Sequence, residues 1–210
     1  FAGGFIGVDI FFVISGFLIS SIIRREIAES RFTFLGFYDR RIRRIIPAIT
    51  VVVAASSVVA YFTMLPEALE NYAQSVVATM FFGNNLLLTV TSGYWDLASE
   101  FKPLLHTWSL GVEEQFYIGY PIIAYAILRR APRLFPWMLV VGIAVSFGLS
   151  VALSQSQPTA SFYLIHTRAW ELLLGALTAY LQPMTRLKSS TEIGLAWLGL
   201  LLIAASILLI

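Results

Sequence analysis

The chain has 210 residues, of which 58% are hydrophobic and only 12% are charged. A soluble globular domain is about one quarter charged, so these values exclude that class and indicate a protein that crosses a membrane several times. The absence of cysteine excludes disulfides and thiolate metal sites, and a formal net charge of +2 gives no indication of nucleic-acid binding.

Both ends of the sequence look like positions inside a longer chain. Residue 1 is Phe rather than Met, no secretory signal peptide is present, and the last apolar run is still continuing at Ile210. We therefore expect residues 1–210 to be a single, incomplete membrane domain from a longer protein, with further helices after Ile210.

Six segments are long and apolar enough to cross a bilayer core of about 30 Å, which needs roughly 20 helical residues. They are Phe5–Ile23, Ile45–Met64, Leu105–Leu128, Pro136–Leu153, Phe162–Leu181 and Ile193–Ile210. A seventh segment, Ser75–Val90, is shorter and has Gly83, Asn84 and Asn85 at its centre, where an unpaired amide in lipid is costly. We predict an all-α bundle of about six spanning helices, with Ser75–Val90 as a re-entrant or interfacial segment.

The basic residues support this topology, because short cytoplasmic loops carry an excess of Lys and Arg. One cluster lies between Ile22 and Ile45, a second between Arg129 and Arg133, and a third comprises Arg186 and Lys188. If Ser75–Val90 returns to the side from which it enters, all three clusters share the cytoplasmic side. If it crosses fully, the second and third clusters lie opposite the first.

The first predicted helix contains the stretch GVDIFFVISGFLIS. Asp9, Phe12, Val13 and Gly16 share one face at helical spacing, and Ser15 lies beside that face. The small residues of this stretch have two interpretations: they let a neighbouring helix approach closely, or they let a thin acyl chain pass beside the backbone.

Four arginines in the stretch FYDRRIRRIIP precede the second predicted helix: Arg40, Arg41, Arg43 and Arg44. They anchor the helix on the cytoplasmic side, or they bind a polyanion such as a nucleotide phosphate, which guanidinium groups hold bidentately. Both roles can hold together. Pro47 is expected in the first turn of the helix.

The stretch LLHTWSLGVEEQFYIGYP places several polar groups within a predicted helix. His106, Ser109, Glu113 and Tyr117 follow one face, and Glu114 lies about 100° round from Glu113. His106 and Glu113 are two turns apart, roughly 10 Å along the axis, which argues against a Ser-His-Glu triad. Ionisable groups inside membranes usually face a cavity, so we predict that Glu113 or Glu114 lines a functional cavity. His106 is either interfacial or itself catalytic.

In the stretch HTRAWELLLGA, Arg168, Glu171 and Gly175 share one face. Arg168 and Glu171 either satisfy each other as a structural pair, or form a cavity wall in which the Arg meets an anionic or carbonyl group. His166, one turn earlier, is expected at the interface. The two histidines belong to different segments, and no metal-ligand spacing occurs, so no metal site is predicted.

Four stretches, taken in order, resemble the acyltransferase-3 family: GGFIGVDIFFVISGFLIS, FYDRRIRRIIPA, LLHTWSLGVEEQFY and TRAWELLLGAL. These are bacterial inner-membrane O-acyltransferases that acetylate lipopolysaccharide or peptidoglycan, and the resemblance covers about Gly3 to Leu181. It implies acetyl-CoA as co-substrate on the cytoplasmic side, no bound cofactor, and an envelope glycan, free or lipid-linked, as acceptor. It also implies a multi-pass helical bundle, followed in some members by an SGNH-hydrolase-like domain.

The resemblance also assigns roles to individual residues. Those implied in binding the donor are Asp9, Phe11, Phe12, Ser15, Gly16, Arg41 and Arg44, with Arg40 and Arg43 as an overlapping alternative to the arginine pair. Those implied around the acceptor are Trp108, Ser109, Gln115, Arg168 and Glu171, with Glu113 and Glu114 supporting catalysis. His106 joins the acceptor group only because it shares the helix face of Ser109 and Glu113.

The sequence departs from the family pattern in one respect. The family's expected catalytic His, preceded by an Arg, would lie on a helix before Phe1, and neither His106 nor His166 takes its place. We therefore expect the 210 residues alone to be inactive unless the parent protein supplies that helix. Two alternatives stay open: a transporter or proton-coupled carrier, which intramembrane Glu and Arg would also suit, and a fragment with only a scaffold role.

Overall fold

The computed structural model describes residues 6–91, 102–182 and 189–209, and every regular element in these ranges is helical. The α-helices are α1 (Ile6–Ala28), α2 (Phe34–Thr63), α3 (Pro66–Met80), α4 (Asn84–Thr91), α5 (Thr107–Arg130), α6 (Phe135–Ser156), α7 (Pro158–Tyr163), α8 (Ile165–Leu181) and α9 (Ser189–Leu209). A short 3₁₀ turn, Pro132–Leu134, precedes α6. The all-α prediction is confirmed.

Three of the described helices are long and apolar enough to cross a membrane: α1, α2, and α6 together with the 3₁₀ turn before it. A shorter apolar stretch, Ile193–Ser206, lies within α9. These helices support the prediction of a membrane protein. The count of six spanning helices stays a prediction, and the third basic cluster, Arg186 and Lys188, lies outside the described residues.

Helix α2 begins at Phe34 rather than at the predicted Ile45. Thr33 has an extended backbone, and its Oγ1 caps the helix by accepting a hydrogen bond from the Gly36 amide at 3.2 Å. Pro47 therefore lies inside the helix, and its predicted place in the first turn was wrong. The prediction put the boundary where hydropathy rises, but Arg is a good helix former and continues the helix beyond the apolar segment.

The segment predicted to re-enter, Ser75–Val90, is divided between α3 and α4. The two helices meet at Phe81–Gly83, where Phe82 has a φ of 54°, uncommon for a residue with a side chain. The amide of Gly83 donates to the carbonyl of Ala78 at 2.7 Å and closes the turn. The break thus lies beside the Gly-Asn-Asn sequence that led to the prediction.

The first two basic clusters lie at the same end of the bundle. The ring of Phe32, just before α2, stacks on that of Tyr125 near the end of α5, with centroids 5.4 Å apart. One turn into α2, the hydroxyl of Tyr38 donates to the carbonyl of Ile118 at 2.9 Å. The beginning of α2 and the end of α5 are therefore neighbours. This arrangement agrees with the layout in which the chain between α2 and α5 turns back.

Helices α1 and α8 pack backbone against backbone at two glycines. A Cβ on Gly16 would overlap the backbone carbonyl of Leu172, and a Cβ on Gly175 would overlap that of Val13. In lipid, where apolar burial gives little drive to helix association, such small-residue contacts allow dispersion to hold helices together. Gly16 therefore follows the packing interpretation, because this face has no space for an acyl chain.

Candidate active site

A cavity of about 630 Å³ lies between α1, α2 and α5. Each helix turns one face to it, since the lining residues recur at helical spacing. From α1 and α2 they are Phe11, Ile14, Ser15, Leu18, Ile22, Arg41, Arg44, Ile45, Ala48, Ile49 and Val52, and from the start of α5 onward they are His106, Thr107, Ser109, Leu110, Glu113, Glu114 and Tyr117. The lined stretch of each helix corresponds to about 16 Å along its axis.

One end of the cavity is basic. Arg41 and Arg44 line it, and no carboxylate among the described residues lies within ion-pair distance of either. The Arg41 guanidinium stands over the Tyr117 ring, 4.4 Å from its centroid, and gains a cation–π interaction. This end therefore presents two guanidinium groups with no carboxylate partner in the described chain.

The alternative arginine pair, Arg40 and Arg43, forms ion pairs with carboxylates outside the cavity. Arg40 Nη2 bonds Glu26 at 2.7 Å, and Arg43 Nε bonds Asp39 at 2.8 Å. Arg40 also borders a smaller pocket of about 190 Å³ beside the cavity, whereas Arg43 borders neither. The structure thus distinguishes two arginine pairs that the sequence alone could not separate.

Glu113 is held in place by two hydroxyl groups in the middle of the cavity wall. Ser15 Oγ from α1 and the Tyr117 hydroxyl from α5 both donate to Glu113 Oε1. Both hydrogen bonds are buried, and a carboxyl fixed from two helices has little freedom to turn. Glu113 is therefore an oriented group.

Glu114 is in a different situation. Its side chain is buried and borders the cavity, but its Oε1 accepts no hydrogen bond from the described residues. Buried polar atoms are nearly always paired, so an orphaned oxygen at a cavity wall requires an explanation. A ligand that donates a hydrogen bond would supply one once the side chain turns this buried oxygen toward the cavity that it borders.

The opposite end of the cavity carries His106 and Ser109. His106 is exposed at the start of α5, and Ser109 Oγ donates to the backbone carbonyl of His106 at 3.2 Å. The hydroxyl thus bonds the backbone rather than an imidazole, which agrees with the sequence argument against a one-helix triad. Phe11 and Val52 line the same end.

A second polar cluster lies outside the cavity, between α1 and α8. Arg168 Nη1 donates to Asp9 Oδ1 at 3.0 Å and to Glu171 Oε1 at 2.9 Å, and its Nε donates to the Phe162 carbonyl at 3.0 Å. The guanidinium also stands 4.8 Å from the Phe162 ring and 5.9 Å from that of Trp108. The predicted Arg168–Glu171 pair is thus an ion triad, and it is separate from the cavity.

Three further residues predicted at the site, Phe12, Trp108 and Gln115, pack between helices and do not line the cavity. Phe12 is fully buried and meets Trp108 edge to face, with centroids 6.1 Å apart. Gln115 turns away from the cavity and bonds Asn85. Sequence reasoning missed Asn85 and the hydrogen bond of Tyr117. Two features of the sequence could have indicated these contacts. Asn85 is an amide within an apolar segment and needs a partner, and Tyr117 lies one turn after Glu113.

An all-helical membrane protein with a basic, carboxylate-lined cavity between its helices fits the class of membrane acyltransferases. The family model for an acyltransferase domain, acyltransferase family 3, matches residues 1–210, so the chain belongs to this family. Membership confirms the family resemblance and favours an enzyme over a carrier.

Similarity to individual proteins agrees with this assignment. A Haemophilus influenzae protein named only as uncharacterized is 38% identical over 180 residues, covering 82% of this chain and 73% of that protein. The O-acetyltransferase OatA of Staphylococcus aureus is 33% identical over 193 residues, covering 89% of this chain and 32% of its own length. The peptidoglycan O-acetyltransferase OatA of Listeria monocytogenes is 34% identical, covering 88% and 30% respectively. The chain spans about a third of these two proteins, and no solved structure matches it significantly.

Proposed function

We propose that the protein transfers an acetyl group from acetyl-CoA to a hydroxyl of a cell-envelope glycan in the bacterial cytoplasmic membrane. Family membership supports acyl transfer, and the names of the two OatA relatives support the acetyl group and a peptidoglycan acceptor. The single observation that carries the proposal is the cavity, which joins a basic end to buried carboxyl groups.

Arg41 and Arg44 hold the phosphates of the donor in this proposal. Guanidinium forks bind phosphate bidentately, and neither Arg has a carboxylate partner in the described chain. Arg41 can leave the Tyr117 ring at modest cost, because a partly exposed cation–π contact is worth about 0.5–1 kcal/mol. The two arginines thus form a ready anion site at the cavity mouth.

The apolar middle of the cavity receives the thin pantetheine arm. Leu18 and Ile22 of α1 face Ile45, Ala48 and Ile49 of α2 between the basic end and the carboxyl groups. An arm that follows these residues away from the arginines brings the thioester to the level of Ser15 and Glu113.

The carboxyl groups position the reacting partners. Glu113 is fixed by Ser15 and Tyr117, and it gives the centre of the cavity a defined polar wall. Glu114 has the orphaned oxygen, and we assign it a second, non-reacting hydroxyl of the acceptor as hydrogen-bond donor. The general base in this proposal is the family's His, expected on a helix before Phe1. A base with a pKa near neutrality is suited to take the proton of a sugar hydroxyl.

The acceptor approaches from the end that carries His106 and Ser109. This end is opposite the cytoplasmic arginines, so a donor and an envelope glycan would enter from opposite sides of the membrane. Lipopolysaccharide and lipid-linked glycans are the alternative acceptors in this proposal. An extracytoplasmic SGNH-like domain in the longer parent protein belongs to the same proposal.

The test is transfer of labelled acetyl from acetyl-CoA to purified peptidoglycan or lipopolysaccharide by the full-length protein in membrane vesicles. We expect Arg44→Ala to raise the KM for acetyl-CoA by about tenfold or more, since a charge-assisted hydrogen bond is worth about 1.5–3 kcal/mol. Arg43→Ala, its neighbour paired with Asp39, is the matched control and should change KM far less. No transfer to any glycan hydroxyl, or equal effects of the two variants, would overturn the proposal.

A further inference from the structure

The turn between α3 and α4 is joined to α5 by a pair of side-chain amides. Gln115 Nε2 donates to Asn85 Oδ1 at 2.9 Å, and Asn85 Nδ2 returns a longer bond to Gln115 Oε1 at 3.4 Å. Asn85 is fully buried and Gln115 is half-buried, so the pair is partly shielded from solvent. Two amides that bond each other in this way fix both side-chain torsions at once.

The same two side chains bind the backbone of two other segments. Gln115 Nε2 also donates to the carbonyl of Phe82, the residue with positive φ, at 3.0 Å. Asn85 Nδ2 also donates to the carbonyl of Tyr163, at the end of α7, at 3.1 Å. The pair therefore connects α5 to the α3–α4 turn and to α7.

Space around the pair is tight. Gly111 lies one turn before Gln115 on α5, and a Cβ there would come within 2.8 Å of Asn85 Oδ1 and 3.0 Å of the Phe82 carbonyl. Helix α5 can therefore neither approach the turn more closely nor rotate there without breaking hydrogen bonds. Interhelical hydrogen bonds and close contacts specify helix orientation in lipid, where apolar packing alone does not.

The amide pair lies on the side of α5 that faces away from the cavity. At about 100° per residue, Gln115 is about 100° round the helix from Glu114 and about 200° from Glu113. By fixing the rotation of α5 about its own axis, the amide pair thus also fixes the direction in which Glu113 and Glu114 point. A turn of α5 by about 20° would move the side-chain tips by about 2 Å.

We infer that Asn85 and Gln115 are positioning residues, whose amide pair sets the rotation of α5 and so aims Glu113 and Glu114 into the cavity. They touch neither substrate. The kinetic consequence rests on the proposed acyl transfer, whereas the structural consequence does not. Since a misplacement of about 1 Å can cost about 100-fold in rate, loss of the pair should affect kcat above all.

The kinetic test uses the full-length protein with Asn85→Ala, with Gln115→Met, which keeps side-chain length, and with both. Each single variant should lower kcat about 10–100-fold and leave the KM for acetyl-CoA, bound by α2, within about twofold. The double variant should lose little more than either single one, because the two amides act as a unit. Ser146→Ala is the control, since it removes a part-buried hydrogen bond that Ser146 accepts from the Trp170 amide between α6 and α8, away from the cavity.

A second measurement does not depend on activity. In a background without other cysteines, the thiol introduced by Ser109→Cys reports the cavity face of α5 through its reaction with a water-soluble maleimide. Adding Asn85→Ala or Gln115→Met should lower that rate severalfold, and adding Ser146→Ala should not. Unchanged labelling in both amide variants, or a kcat loss no greater than the loss of folded protein, would overturn the inference. Changed labelling in a protein without transferase activity would instead contradict only the proposed function.

Discussion

Ser15 on α1 donates a buried hydrogen bond to Glu113 on α5, 98 residues further along the chain. This bond joins the two helices across the wall of the cavity, and the Tyr117 hydroxyl completes the coordination of the same carboxyl oxygen. The polar centre is therefore assembled from two helices rather than from one helix face.

Removal of the Ser15 hydroxyl should destabilise the protein measurably. Because Ser15→Ala leaves a buried carboxyl with one donor fewer, the free energy of unfolding should fall by about 1–3 kcal/mol. Ser20→Ala is the matched control, since Ser20 on the same helix bonds the neutral Tyr120 hydroxyl at 2.7 Å and should cost about 1 kcal/mol. The measurement is chemical unfolding in detergent. A Ser15→Ala effect that is undiminished in a Glu113→Met background, which has no acceptor, would show that the two residues are not coupled.

Loss of the Glu114 charge should affect the acceptor rather than the donor. Glu114→Gln keeps the size of the side chain and replaces a charged hydrogen-bond acceptor, worth about 1.5–3 kcal/mol, by a neutral one worth about 0.5–1.5 kcal/mol. We expect kcat/KM for the glycan to fall about tenfold, with the KM for acetyl-CoA nearly unchanged. Steady-state transfer assays at varied concentrations of each substrate separate the two effects. Full activity in both Glu114→Gln and Glu113→Gln would show that the carboxyl groups are dispensable.

The glycine contact between α1 and α8 predicts a sharp contrast among Gly→Ala variants. Gly16→Ala and Gly175→Ala drive a methyl group into backbone atoms and should each cost about 3 kcal/mol or more. Gly119→Ala on α5 meets nothing within 4 Å and should be neutral or stabilise by about 0.5–1 kcal/mol. Thermal unfolding of the three variants in one detergent makes the comparison. Equal melting temperatures would mean that α1 and α8 do not pack as described.

The ion triad predicts that Arg168 cannot be replaced even by Lys. Its Nε and Nη1 serve a carbonyl and two carboxyl groups at once, and a single ammonium cannot reproduce this planar geometry. Arg168→Lys should therefore be destabilising, and Arg168→Leu should cost about 3–5 kcal/mol because it leaves the buried Glu171 carboxyl group without its partner. Unfolding in detergent measures both changes.

The two acidic residues of the ion triad, Asp9 and Glu171, should differ in how much their replacement lowers the stability of the protein. The Glu171 side chain is 1% exposed, whereas that of Asp9 is 35% exposed, so Glu171→Gln should change stability more than Asp9→Asn. Water can replace the partner of an exposed carboxyl group but not of a buried one. The reverse order would show that burial does not govern this cluster.

Local sequence patterns predicted much of the fold and part of the site. Apolar segments located the helices, and Gly83 with its two neighbouring Asn residues indicated the break between α3 and α4. The one-face spacing of His106, Ser109 and Glu113 indicated a shared surface, which the cavity confirms. These predictions succeeded because each depends on residues within a few turns of one another.

Relationships between distant segments could not be predicted in the same way. The choice between Arg41–Arg44 and Arg40–Arg43 depends on Glu26 and Asp39, which occupy the second pair. The Arg168–Glu171 pair was visible at helical spacing, but Asp9 joins it from 159 residues away. The family resemblance placed Gln115 around the acceptor together with Glu113 and Glu114, yet a helix turns about 100° at each step and Gln115 does not line the cavity.

Helix α2 continues unbroken from Phe34 to Thr63, 30 residues in all. A helix of that length measures about 45 Å, against a hydrocarbon core of about 30 Å, so one stretch of about ten residues must stand in the headgroup layer. The basic first third of α2 is that stretch, and it places Arg41 and Arg44 where water, lipid phosphates and dissolved metabolites meet. In the proposed function, the phosphates of acetyl-CoA therefore bind without entering the hydrocarbon core, and its uncharged arm lies along the apolar remainder of the same helix.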